Sequence, residues 1–161
     1  MLTQAHLREL LHYDPETGIF TWLKSSRKGW TGKPAGHIHE GYVEIKINKI
    51  NYKAHRLAWL FMNGEFPDFD IDHRDLIRHN NSWNNLRLAT KHQNNCNSPI
   101  YKNSTSKVKG VYWHKQNQTW IAHIYCHKKQ YYLGSFENID DAAEAVRIKR
   151  EELHGEFANH G

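Results

Sequence analysis

A polar stretch with no hydrophobic period, NSPIYKNSTSK over residues 97–107, interrupts this chain. A segment that offers no buried face cannot carry a helix or a strand through a core, so it predicts a linker between two small folded parts. The expected division is 1–97, a linker over 98–106, and 107–161. With 161 residues to share, each part builds only a modest core.

The first part reads as a short helix and then strands. Leu7, Leu10 and Leu11 share one helical face. Asp14-Pro15-Glu16-Thr17-Gly18 is turn chemistry, and Ile19–Trp22 follows as a strand. Gly41–Ile47 alternates, with Val43, Ile45 and Ile47 on one side. A helix is predicted over Ala54–Asn63, striped by Leu57, Leu60 and Phe61 and stopped by Gly64. The second part holds three strand-like runs, Gly110–His114, Trp120–Cys126 and Gln130–Phe136, and a helix from Ile139 to His154 that Asn138 caps and Gly155 ends.

Charge is uneven along the chain. The net charge of +5 says little alone, but from Leu76 through Phe136 there is no Asp or Glu, while Arg78, Arg87, Lys91, Lys102, Lys107, Lys109, Lys115, Lys128 and Lys129 fall in the same stretch. Such a stretch repels itself unless a polyanion compensates, which points to phosphate. No apolar run reaches the roughly 20 residues a bilayer demands, so no membrane partner is expected. Two cysteines, Cys96 and Cys126, are too few for a disulfide framework and read as reduced thiols of a cytoplasmic protein. A zinc site using Cys96 and His92 would need two further ligands that the sequence does not reveal.

The chemistry concentrates in Asp70-Ile71-Asp72-His73-Arg74-Asp75, then Asn84–Leu88, then Thr90–Asn95. Neighbours on a strand point to opposite sides, so of Asp72 and His73 one can hold a metal while the other faces substrate. Thr90 with Gln93 fits a capping box and starts a helix there, with Asn94 in its first turn. A carboxylate and an amide oxygen are hard ligands suited to Mg2+ or Mn2+.

This segment resembles the HNH endonuclease family, in particular the phage and intron homing type, through His73, Asn85 and Asn94, with Asp72 before the histidine and the flanking text Ala54–Trp59 and Asn85–Thr90. The resemblance covers roughly residues 40–97. It implies a ββα-metal fold, His73 as general base, Asp72 and Asn94 as ligands of a single divalent ion, and Asn85 orienting the histidine or supporting the loop. His92 competes with Asn94 as third motif residue. The text departs in one place: many members carry Asp-Gly soon after the histidine, and this chain has Asp75-Leu76.

In the second part, alternation puts Val111, Trp113, Trp120, Ala122, Ile124, Tyr131 and Leu133 on one face, to be covered by the helix. The other face gathers Tyr112, His114, His123, Tyr125, Gln130 and Tyr132, flanked by Lys109 and Lys128. From Glu137 on, seven acidic residues oppose Arg147, Lys149 and Arg150, giving the module one basic face. Residues 107–158 resemble the AP2 DNA-binding domain through Lys109–Tyr112, Trp120–Ile124, Tyr132–Phe136 and Asp141–Ala145. That resemblance implies a three-stranded antiparallel sheet laid in the DNA major groove.

The expectation is therefore an α+β chain: a ββα-metal nuclease domain followed by a three-stranded antiparallel sheet packed on one helix. It acts on double-stranded DNA as a homing-type endonuclease in a phage-infected bacterial host; one active centre per chain favours nicking unless the protein dimerises, and a monomer is the favoured of the open oligomeric states. The competing readings are a DNA-binding regulator with a relict site and an RNA-directed enzyme.

Overall fold

Thr3 is extended and its hydroxyl accepts the His6 N–H at 3.3 Å, so the first helix, α1, begins at Gln4 and ends at Leu10. Leu11 is buried as expected, but as the first residue of strand β1 (Leu11–Tyr13), not as part of the helix. The chain turns at Asp14, whose carboxylate accepts the Glu16 N–H and the Thr17 hydroxyl, and returns as β2 (Phe20–Trp22). This is a computed structural model describing residues 2–161, divided between a unit ending at Thr90 and a second unit from Lys91 to Gly161.

The first unit continues with a three-stranded antiparallel sheet of β3 (His37–His39), β4 (Tyr42–Ile47) and β5 (Ile50–Lys53). Helix α2 spans Ala54–Asn63, and Gly64 stops it in the left-handed conformation, φ 90°, with its N–H on the Leu60 carbonyl. Its stripe of Ala54, Leu57, Ala58 and Leu60 packs with Leu7, Leu11, Tyr13, Phe20, Ile45 and Ile47 into one core. Then come β6 (Asp70–His73), a loop with a 3-10 turn at Trp83–Asn85, and β7 (Leu86–Ala89), which pairs antiparallel with β6.

The N-terminal hairpin grips that loop. The Tyr13 hydroxyl donates to the Asn81 carbonyl at 2.7 Å, and the Trp83 N–H donates to the Pro15 carbonyl at 2.8 Å. Gly18 has φ 74°, and a Cβ there would stand 2.2 Å from the Asn81 carbonyl carbon. Only glycine allows that approach.

The second unit opens with α3 (Lys91–Cys96), where a helix is expected after Thr90. Strands β8 (Val111–His114), β9 (Thr119–Cys126) and β10 (Lys129–Phe136) form an antiparallel sheet in the order β10-β9-β8, and α4 (Ile139–His154) packs on it. Asn138 caps α4 by accepting the Asp140 N–H at 2.9 Å. Val111, Ala122, Ile124, Cys126, Ala142 and Val146 form the core between sheet and helix.

Two expectations change here. The stretch 98–106 lies inside the second unit, and hydrogen bonds hold its borders. Lys109 Nζ donates to the carbonyls of Cys96, Ser98 and Asn159, and the Asn159 amide donates to Asn97 Oδ1. The buried Ser106 hydroxyl donates to the Val111 carbonyl at 2.6 Å. Polarity that reads as a linker is here spent on main-chain partners. Trp113, expected in the core, is 39% exposed: it sits on edge strand β8 and leans edge-on against Trp120, with ring centroids 5.0 Å apart.

Candidate active site

Strands β6 and β7 pair so that Asp72 faces Arg87 and His73 faces Leu86. Cross-strand partners share a side of the sheet, so Arg87 Nε reaches Asp72 Oδ2 at 2.8 Å. Both side chains are buried, Asp72 at 4% exposure and Arg87 at 7%. A carboxylate taken this far from water needs a cationic partner, and Arg87 supplies it.

His73 points to the opposite side and is also buried. Its Nε2 lies 3.2 Å from Asn81 Oδ1. That oxygen is an acceptor, so Nε2 carries the proton and the basic lone pair belongs to Nδ1. The His55 ring meets the His73 ring edge-on at 5.1 Å, and Tyr42 lies 6.2 Å away. Burial pushes the His73 pKa below the ordinary imidazole value, although the Asn81 bond and the charges of Asp75 and Asp72 pull upward. The result is a neutral imidazole with a fixed tautomer, the form a general base requires. Burial, with the charges of His73, Lys53 and Arg56, drives the His55 pKa down to about 3. Lys53 and Arg78 both stack on Tyr42, at 4.1 and 5.1 Å from its centroid, and put positive charge beside His73.

Asn85 supports the loop. Its amide oxygen accepts the Asp75 N–H, and its amide nitrogen donates to Asp75 Oδ1 and to the Asn80 carbonyl. Asn80 Nδ2 closes the clasp on Asp75 Oδ2 at 2.6 Å. Burial raises the Asp75 pKa, but hydrogen bonds from Asn80, the Ile77 N–H and Asn85 outweigh it and hold the carboxyl below its usual range. The missing Asp-Gly has a structural counterpart: Leu76 takes φ 64°, a conformation glycine adopts without strain. The loop thus keeps a glycine-type turn with a leucine in it.

Asn94 lies half-buried on α3, within the second unit. The residues that sequence reasoning missed are Asn81, Arg87 and His55. Hydropathy does not distinguish Asn81 from Asn80 or Asn84; only the fold brings it to His73.

In the second unit the strand register places Tyr112, His114, His123, Tyr125, Gln130 and Tyr132 on the sheet face opposite the α4-packed core. Tyr125 and Tyr132 are 66% and 65% exposed, and Tyr112 meets His123 edge-on at 5.4 Å. Lys128 is exposed in the two-residue turn between β9 and β10, where His127 and Lys128 both have positive φ. Lys109 is a correction: its ammonium is half-buried, committed to three carbonyls, and depressed to about 8 by burial and by the Arg150 charge. It ties the unit together and does not flank the face as a phosphate contact.

The HNH endonuclease family model matches residues 52–96, which carry α2, the β6–β7 hairpin and α3. A protein described as an uncharacterized HNH endonuclease of Acanthamoeba polyphaga mimivirus is 34% identical over 143 residues, 88% of this chain and 74% of that protein. The chain belongs to the HNH endonuclease family. Protein 3.8 of Escherichia phage T7 is 36% identical over 117 residues, 70% of this chain and 96% of that protein. No solved structure matches the chain. As an HNH endonuclease the chain is a nuclease of DNA-directed type, and its relatives are phage and viral. Among the described residues no helix is long and apolar enough to cross a membrane.

Proposed function

We propose that the chain is a homing-type endonuclease that hydrolyses phosphodiester bonds in duplex DNA with one divalent ion, Mg2+ or Mn2+, and with His73 as general base. The observation that carries this reading is the buried His73, held through Nε2 by Asn81 and next in sequence to the carboxylate of Asp72. The family resemblance names Asp72 and Asn94 as the residues that would hold this ion, and a carboxylate and an amide oxygen are hard donors of the kind it takes. The ion, when bound, offsets charge developing on the scissile phosphate. His73 Nδ1 takes the proton of the attacking water, while Asn81 keeps the ring aimed. Arg87 fixes the rotamer of Asp72, and the Asn85–Asp75 clasp holds the loop that carries Asn81. Lys53 and Arg78 draw the phosphate backbone toward this side.

The second unit serves as the DNA tether in this reading. The aromatic and histidine face of its sheet meets the duplex as in the AP2 domain, and acidic α4 faces away. Tethering raises the local concentration of the nuclease on DNA without new contacts at the cut site. The protein works as a monomer that nicks one strand, in a phage-infected host.

One observation favours the alternative, a DNA-binding regulator with a relict site: Asp72 is 4% exposed and paired with Arg87. Supercoiled plasmid and phage genomic DNA incubated with the protein and Mg2+ or Mn2+ decides between them. Nicked circles that vanish with chelator, and a loss of about 10²–10⁴-fold in His73→Ala, are expected. Binding without any metal-dependent cutting would instead establish the regulator.

A further inference from the structure

The second unit contains a cluster of sulfur and nitrogen donors that the nuclease reading does not use. His92 Nε2, on α3, lies 3.6 Å from the Cys96 thiol one turn on and 3.5 Å from the Cys126 thiol at the end of β9. His127, next in the β9–β10 turn, stacks on His92 with ring centroids 4.0 Å apart. Donor atoms of His92, Cys126 and His127 all lie within 4.8 Å of one another. Both cysteines are buried free thiols. His154, on α4, meets the His92 ring edge-on, and its two ring nitrogens are buried without a hydrogen-bond partner.

Hydrogen bonding alone satisfies this group poorly. A neutral imidazole Nε2 has one lone pair or one proton, so it cannot accept from two thiols at once. A tetrahedral zinc ion, with Zn–S near 2.3 Å and Zn–N near 2.0–2.1 Å, separates its N and S ligands by about 3.5–3.6 Å. The two N···S separations, 3.6 and 3.5 Å, match that edge. Thiolate and imidazole are also the ligands that zinc selects, in contrast to the hard oxygens proposed for the cutting centre.

We propose that His92, Cys96, Cys126 and His127 bind one structural zinc ion that fastens α3 to the β9–β10 hairpin, with His154 behind it as a polar wall. Binding releases the two thiol protons and leaves two thiolates and two neutral imidazoles on the metal. The site sits within the second unit and is independent of the Asp72–His73 pair.

The test uses the full-length, tag-free chain. After dialysis against a weak chelator, metal analysis is expected to give one zinc per chain, and cobalt exchange is expected to give a tetrahedral spectrum with thiolate charge-transfer absorption. Cys96→Ser and Cys126→Ser should each remove about half of that absorption. His127 is exposed on a turn, so His127→Gln should fold normally and still weaken zinc binding by at least the roughly 10–100-fold that loss of an outer-shell partner causes. His73→Ala should keep its zinc, which separates this site from the nuclease reading. A metal-free wild-type chain, a disulfide between Cys96 and Cys126, or a cobalt spectrum without thiolate absorption would each overturn the proposal. Full absorption in Cys96→Ser would overturn the ligand set.

Discussion

His73 is a base because of its neighbours. Asn81 supplies the acceptor that fixes the tautomer, and burial keeps the ring neutral. Asn81→Ala should therefore slow cleavage about tenfold, the effect of leaving one buried polar group without its partner. It should leave the metal concentration for half-maximal cutting unchanged. An unaltered single-turnover rate would remove Asn81 from the positioning role. His55 has a different consequence. Its pKa falls from 6.5 to about 3 on folding, so between those values the unfolded chain takes up a proton that the folded chain refuses. Stability is fully present above about pH 6.5 and is lost as pH falls toward 3, with His73 adding in the same direction. His55→Leu should flatten that loss, measured as urea midpoints at about pH 8, 6 and 4.5. A wild-type slope in the variant would show that His55 is not the proton acceptor.

At the scale of the element, α2 and α4 have the limits their sequences predict, because the signals are local: Gly64, Asn138 and Gly155 end or cap them whatever else the chain does. The alternation of β8 to β10 sorts Tyr112, His123, Tyr125 and Tyr132 onto one side of the sheet, since strand period decides sides, but it does not decide burial at an edge, where Trp113 stays exposed. Asp72 and His73 were legible as neighbours on a strand. Their partners Arg87 and Asn81 were not, because strand register and loop path are tertiary facts. Lys109 was misplaced for the same reason: nothing local says that Asn159 will sit beside it. The loop after β6 offers its own test. Leu76 sits at φ 64°, a strained conformation for any residue with a Cβ. Leu76→Gly should relieve that strain and stabilise the chain by about 1 kcal/mol, a gain of several degrees in Tm. A lower Tm would mean that the leucine side chain contributes more than its backbone costs.

The whole molecule should come apart at Thr90, not at the polar stretch near residue 100. A fragment of residues 91–161 should fold and bind duplex DNA without cutting it, whereas 104–161 should lose cooperative unfolding because the partners of Lys109 and Asn159 are gone. Lys128→Ala in the longer fragment should reduce the slope of log affinity against log salt by about 0.9. Equal folding of the two fragments, followed by calorimetry, would contradict this boundary. In the first unit, Gly18→Ala should abolish cutting and lower Tm although it lies far in sequence from the catalytic pair, while Gly29→Ala, whose new Cβ meets nothing within 4 Å, should cost only about 1 kcal/mol. Wild-type cutting by Gly18→Ala would show that the hairpin contact is dispensable. That contact also sets the smallest portable cassette. Tyr13, Pro15 and Gly18 clamp the loop bearing Asn81 from outside the family-matched segment 52–96. Grafting that segment alone onto another scaffold would transplant the motif without the vice that aims it, so a functional graft has to begin at the N-terminal hairpin.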